Sequence, residues 1–370
     1  MRAVALAAAL TGAATAAMAF EWSVPAWLPP PPVPADVTMT EALVDLGRHL
    51  FYDPRLSADG TMACASCHDQ ARAFSDGRAV SVGITGEAGA FNAPTLANVG
   101  YMPTLTWSNP LVGSLEFHAL IPLFGEAPVE MGNAGQEVAL FARLMADPYY
   151  PGAFAAAFPD RPQADLYTLT RSLGAFQRTL ISARSPYDRF VYEGDRAALS
   201  EAARRGMELF FDHRTECYHC HAGAIFTDNL VTSRSAMPET AFHNTGLGRA
   251  KGLAAFSLDP RDRGRFRTPS LRNVAVTAPY MHDGRFRTLE EVIRQYAAGG
   301  EAARLGAPDP LRDPLIGGFT ITEAEIADLV AFLESLTDTG FLVDPAFANP
   351  WPEGHPANGG GAVPPQEDPS

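Results

Sequence analysis

Lysine is almost missing: Lys251 stands alone in 370 residues, and every other basic side chain that is permanently charged is an arginine. We read that bias as genomic composition. Acidic residues outnumber basic ones, 42 against 28, giving a formal net charge of −14, and the basic residues form no cluster. Such a chain lacks the electrostatic footprint of a nucleic-acid binder. Past the N-terminus, no apolar run approaches the ~20 residues of a bilayer-spanning helix. Cysteine is scarce as well, with four in all.

Those four cysteines fall into two CxxCH pentapeptides, Cys64-Ala65-Ser66-Cys67-His68 and Cys217-Tyr218-His219-Cys220-His221. In that arrangement two thiols form thioethers to a porphyrin and the adjacent histidine takes the iron from one face. A zinc site built on Cys-x-x-Cys needs further ligands, which the sequence does not group clearly. The expected cofactors are therefore two covalent haem c groups, with His68 and His221 as the proximal ligands. Export fits them. Met1-Arg2, an apolar stretch from Ala3 to Met18, and Ala17-Met18-Ala19 before Phe20 predict a signal peptide over residues 1–19. Retention of that segment as an anchor is the weaker alternative, because the run is short for a membrane span. The expected compartment is the periplasm, with no transmembrane segment in the mature protein.

The length suffices for two domains. A Pro-rich leader over 20–38, extended and surface-packed or partly mobile, precedes a helix from Thr40-Glu41 to Leu50. Helices are expected at about 136–146, 151–157 and 164–182, the last with Leu166, Leu169, Leu173, Phe176 and Leu180 at helical spacing. Near Ser200 the pattern restarts. A capped helix with Gly206, Leu209 and Phe210 leads to Cys217, as one with Leu46, Gly47, Leu50 and Phe51 leads to Cys64. That is an internal repeat. Thr320 to Leu336 reads as the closing helix. The expected organisation is a first haem domain over 39–190, a boundary around 185–198, a second haem domain over 198–345, and a disordered Pro/Gly-rich tail over 346–370.

What distinguishes the two haems must be the face opposite each histidine, since an open face admits peroxide and a sixth ligand closes it. For the first haem, the run Leu115 to Gly132 offers Glu130 as an acid–base group and His118 as a hydrogen-bond donor. Read from residues alone, a loop cap and a satisfied polar residue account for them equally well. For the second haem, Met237, His243, Met281, His282 and Tyr296 are all open as ligands. Trp107 is either an electron relay or core packing.

Taken in order, these stretches resemble the bacterial dihaem cytochrome c peroxidase and MauG superfamily over residues 38 to 340. The segments are the two CxxCH motifs, Phe91-Asn92-Ala93-Pro94-Thr95, Leu115 to Gly132, Phe266 to Val274, and Thr277 to Gly284. The resemblance implies a mainly α fold of two cytochrome c-like domains with an interdomain cation. It assigns Glu130 as the distal glutamate and Pro122 as the proline beside it. His118 stands where a glutamine is usual, and Trp107 resembles the tryptophan between the haems. Asn92 and the backbone carbonyls of Thr277 and Pro279 resemble a calcium site, whose oxygen ligands suit a hard cation. Two departures from the ordinary peroxidases matter. The displaceable histidine after the first motif is absent, Ile84 lying in that region. Tyr296 occupies the position of the methionine ligand on the second haem.

MauG has both features, and it oxidises residues of a partner protein through a bis-ferryl dihaem state. Trp107-Ser108-Asn109-Pro110 followed by Ser114 to Gly125 is most similar to the MbnH branch. That likeness implies hydrogen peroxide as oxidant and a secreted copper-binding partner, one of whose tryptophans becomes kynurenine. The alternative is a cytochrome c peroxidase that reduces peroxide to water with electrons from a small cytochrome c or cupredoxin.

Overall fold

Helix boundaries follow from caps that the sequence supplies. In the computed structural model, which describes residues 20–235, 240–248, 250–306 and 309–358, Thr40 Oγ1 accepts from the Leu43 N–H at 3.1 Å and opens α1, Glu41–Phe51. The remaining helices of the first half are α2 (Leu115–Phe124), α3 (Glu137–Met145), α4 (Tyr149–Ala157) and α5 (Leu166–Arg178). After α6 (Pro186–Tyr192), Ser200 caps α7 (Glu201–Phe210) through its hydroxyl, 3.1 Å from the Ala203 N–H. Then come α8 (Ala254–Ser257), α9 (Leu289–Ala297), α10 (Glu301–Arg304) and α11 (Glu323–Glu334). The named strands are a two-residue antiparallel pair, β1 (Phe242–His243) with β2 (Phe266–Arg267), in register Phe242 with Arg267. Among the described residues, no helix is long and apolar enough to cross a membrane. The expected signal peptide at 1–19, Met237, and residues 359–370 of the expected tail lie outside the described residues.

The repeat is realised as two helix crossings of the same design. α1 crosses α5 at Gly47, where an added Cβ would sit 1.9 Å from the Ser172 carbonyl oxygen. α7 crosses α11 at Gly206, where a Cβ would sit 1.9 Å from the Asp328 carbonyl oxygen. Only glycine allows backbones to approach so closely. Leu46, Leu50, Phe51 and Phe176 bury the first crossing, and Phe210, Leu329 and Phe332 the second. Each such side chain contributes about 1.5–3 kcal/mol by leaving water.

A second repeated device ends the closing helices. Asn98 and Asn273 both sit in the left-handed region, at φ 62° and 59°. The Asn98 N–H donates to the Leu180 carbonyl at 2.7 Å, and the Asn273 N–H to the Leu336 carbonyl at 3.1 Å. Asn98 Nδ2 also holds the Ser182 carbonyl at 2.9 Å. The helix expected over 164–182 therefore stops at Arg178, because the asparagine takes the carbonyls that follow.

Three boundaries differ from expectation. α6 lies inside the expected linker but packs on the second core through Tyr187, and buried Asp188 pairs with buried Arg272 at 2.7 Å. The leader is anchored: Leu28 joins the first core, Trp27 stacks on Tyr192 at 3.9 Å, and the Tyr101 hydroxyl donates to the Pro29 carbonyl. Residues 346–358 are not a disordered tail. Trp351 is buried, donates from Nε1 to the His49 carbonyl at 3.0 Å, and stacks on His355. With Phe341 and Ala357 it belongs to the first core, so the chain's last described segment returns to the module built by its beginning. Pro and Gly content predicted flexibility, but a single buried indole decides otherwise.

Candidate active site

The first CxxCH forms a short turn, Cys64–Ser66, below α1. His68 donates from Nδ1 to the Phe74 carbonyl at 2.8 Å, which fixes its tautomer and leaves Nε2 as the free ligand atom. Phe74 sits at φ 61°, turning its carbonyl back toward the ring. A pocket opens beside His68 and both thiols, and His118, Pro122 and Glu130 form part of its wall.

Two contacts bring those three side chains together. Pro122 lies inside α2, and its carbonyl accepts the Met131 N–H at 2.9 Å, so the loop carrying Glu130 is tied to the helix carrying His118. The buried pair of Glu116 and Arg178, at 2.6 Å, then fixes α2 against α5. Burial raises the Glu130 carboxyl above its ordinary range. Burial, with His68 and Arg267 nearby, pushes His118 down to about 4, so its imidazole is neutral at pH 7. Ile84, in the loop without a histidine, donates its N–H to the Glu130 carbonyl at 2.9 Å.

Trp107 spans the two modules. Its Nε1 donates to the Asn92 carbonyl at 2.8 Å, and its own carbonyl accepts the Arg267 N–H at 2.9 Å. The Arg267 guanidinium lies 5.8 Å from the indole centroid and is itself buried, with its pKa lowered to about 10 by desolvation. Sequence reasoning missed Arg267, although it stands within the Phe266–Val274 stretch that carried the resemblance. Asn92 is buried, and its Nδ2 donates to the Arg78 carbonyl, which orients the amide with Oδ1 turned the other way.

At the second motif, His221 donates from Nδ1 to the Phe226 carbonyl at 3.2 Å, repeating the first arrangement with Phe226 at φ 56°. Tyr296, near the end of α9, is close enough to the Cys220 and Cys217 thiols to feel their charge, and burial raises its phenol far above the ordinary value. Both rival histidines lie near the second motif, and the ligand atoms of His243, Asp228 and Cys220 all fall within 4.8 Å of one another. His243 donates from both nitrogens, to Asp228 and Asp313 at 2.7 Å each; Asp228 foremost, then the Cys220 thiol and Asp313, raise it to about 11. His282 stacks on Phe266 at 3.7 Å.

The residues present fit two haems. All four thiols are free of disulfides, both histidines present one unbonded nitrogen, and the Gln295 side chain beside Tyr296 is 2% exposed with neither polar atom bonded. A buried amide without partners costs about 1–3 kcal/mol. It suits a cavity that receives a polar group of a prosthetic molecule.

Residues 41–197 match the family described as di-haem cytochrome c peroxidase. A cytochrome-c peroxidase, IdrP1, of Denitromonas iodatirespirans is 39% identical over 368 residues, covering 92% of this chain and 93% of that protein. The methylamine utilization protein MauG of Methylorubrum extorquens is 35% identical over 309 residues, covering 82% and 81%. The crystal structure of a MauG-like protein associated with microbial copper homeostasis superposes with a TM-score of 0.85 at 45% identity, covering 90% of this chain and 100% of that one. The dihaem peroxidase BthA of Burkholderia thailandensis superposes at 0.66 with 26% identity, covering 82% and 87%. Relatives matched over nearly their whole length, and a mainly helical fold shared with them, make this chain a haem-dependent enzyme of the bacterial dihaem cytochrome c peroxidase and MauG superfamily.

Proposed function

We propose that the enzyme works in the periplasm, accepts hydrogen peroxide at the His68 site, and oxidises a tryptophan of a secreted copper-binding protein toward kynurenine. What carries the reading is the phenol of Tyr296 beside the second pair of thiols. A phenolate ligand favours ferric and higher states, whereas a thioether favours ready acceptance of electrons. Similarity to the MauG-like protein associated with copper homeostasis supports the choice of partner.

In this reading the architecture is two cytochrome c-like domains, held at Cys64, Cys67 and His68 and at Cys217, Cys220, His221 and Tyr296. When bound, the haems supply the peroxide-driven redox chemistry. Glu130 takes the proton from the near peroxide oxygen and returns it to the far one, a role suited to a carboxyl with a raised pKa. Neutral His118 orients the oxidant by a hydrogen bond. Pro122 has no N–H to compete for it, and its carbonyl holds the Glu130 loop in place. Trp107 relays an equivalent between the modules. Asn92, with the carbonyls of Thr277 and Pro279, holds one calcium ion between them.

The test uses purified diferric holoenzyme, peroxide without prior reduction, and the co-exported copper-binding protein. Intact-mass spectrometry should find the net gain of one oxygen and loss of one carbon that separate kynurenine from tryptophan, or the oxygen-added precursor on the way to it, and peptide mapping should locate the change on a tryptophan. The second reading, peroxide reduction with electrons from a small cytochrome c or cupredoxin, is favoured by the 39% identity to a cytochrome-c peroxidase. An unchanged partner mass with rapid oxidation of the reduced small protein would establish that reading instead.

A further inference from the structure

The turn that carries the second CxxCH holds a cluster that the dihaem chemistry does not use. His213, Glu216 and His219 follow one another at three-residue spacing, His-x-x-Glu-x-x-His, with Glu216 immediately before the attachment motif and His219 inside it. Their ligand atoms all lie within 4.8 Å of one another. Glu216 stands between the imidazoles: Oε2 is 2.6 Å from His219 Nε2, and Oε1 is 3.9 Å from His213 Nδ1. The group faces solvent, with His213 86% exposed and His219 38%.

The internal repeat supplies the control. Counting back from each first cysteine, the first module has Gly60, Ala63 and Ser66 where the second has His213, Glu216 and His219. Building a CxxCH turn therefore requires none of the three. In the first module Ser66 instead accepts the Ala63 N–H and closes its own turn. Ala63 is extended at φ −108°, whereas Glu216 is held at φ 57°. That region is disfavoured for a residue with a Cβ, and a glycine or asparagine would sit there more easily. An ordinary ion pair accounts for one imidazole and the carboxylate. It does not account for the second imidazole, which stands 3.9 Å from the other carboxylate oxygen and is held there by the Tyr218 phenol.

We infer that His213, Glu216 and His219 form a binding site for one divalent transition-metal ion on the solvent side of the second haem module. Two imidazoles and a carboxylate suit Zn(II) or Cu(II), while calcium and magnesium prefer all-oxygen sets. Three protein ligands leave a position for water or a partner's ligand. The His213 nitrogen is reached by the Tyr218 phenol at 2.9 Å, so metal binding exchanges that hydrogen bond for a coordinate bond. The thioethers at Cys217 and Cys220 pin the turn on both sides of His219, so the site loses little freedom on closing. This inference is independent of the partner proposed above.

The experiment is equilibrium dialysis of chelator-stripped, fully haem-loaded enzyme against Zn(II), with zinc and iron counted by mass spectrometry. Wild type should retain one zinc per two irons more than Glu216→Gln, His213→Ala or His219→Ala. Affinity in each variant should fall by more than the roughly 10–100-fold that loss of an outer-shell partner causes. Glu216→Gln keeps the side chain's shape, and its unchanged haem content would show that the module is built. With Cu(II) in place of zinc, electron paramagnetic resonance should show two nitrogen couplings in wild type and one in His213→Ala. Equal zinc retention by wild type and Glu216→Gln would overturn the assignment.

Discussion

The two modules share a scaffold and differ at the face across from the histidine. In each, a glycine lets two helices touch, an asparagine at positive φ ends the closing helix, and a phenylalanine carbonyl fixes the proximal ring. Across from that ring the first module gathers His118, Pro122 and Glu130 around a pocket, and the second brings Tyr296 to its thiols. In the proposed reading, the repeated parts hold each haem and the unrepeated parts set what each haem does.

The largest effect should come from Glu130→Gln. Losing an acid–base group costs ~100- to 10,000-fold, so stopped-flow mixing with peroxide should show the first reaction slowed by that factor, with haem content unchanged. The pH profile sharpens the point. A carboxylate with a raised pKa is lost as pH falls through that pKa, so the acid limb should lie above the ~4.3 of an ordinary glutamate. Glu130→Gln should abolish the limb. A profile unchanged by the substitution would move the acid–base role to another group.

Tyr296→Phe should act on the other module alone. The visible and paramagnetic spectra of one haem should change, the peroxide reaction of the first should begin normally, and oxidation of the partner should collapse. Spectra identical to wild type would remove Tyr296 from the iron and return Met281 to contention.

Stability offers a third contrast. Trp351→Ala removes a buried indole, a change that costs about 3–5 kcal/mol. Although Trp351 follows the entire second module in sequence, its loss should lower the melting of the first module, followed by that module's haem absorption. Paired with it are Gly47→Ala and Gly206→Ala. A Cβ 1.9 Å from a backbone carbonyl oxygen must part the two helices, so the cost should exceed the ~1–3 kcal/mol of ordinary core overpacking, loosening the first module in one variant and the second in the other. Equal effects on both would deny the modules separate cores.

Much of this was legible in the sequence because it depends on neighbours along the chain. The CxxCH motifs, the caps at Thr40 and Ser200, and the leucine spacing of α5 are local patterns, and the helices began where those patterns placed them. Glu130 and His118, picked from one polar stretch of the sequence, both line the pocket beside His68. What could not be read depends on partners distant in sequence. Nothing near Trp351 indicates that His49 will receive its N–H. Nothing near His243 shows that Asp228 and Asp313 will hold both its nitrogens. The affiliation of α6 with the second core likewise rests on Asp188 meeting Arg272, 84 residues further on.

The return of Phe341, Trp351 and Ala357 to the first core also sets an order of assembly. A chain made N-terminus first presents Cys64 and Cys67 long before Trp351. Until then α1 and α4 lack their indole cover, and the first porphyrin can be attached to a module that is still open. Completion of the first module then waits for residues 341–357, which follow the whole second module in sequence. A chain cut between Leu336 and Phe341 would carry the residues of the second core complete and the first core without its indole cover.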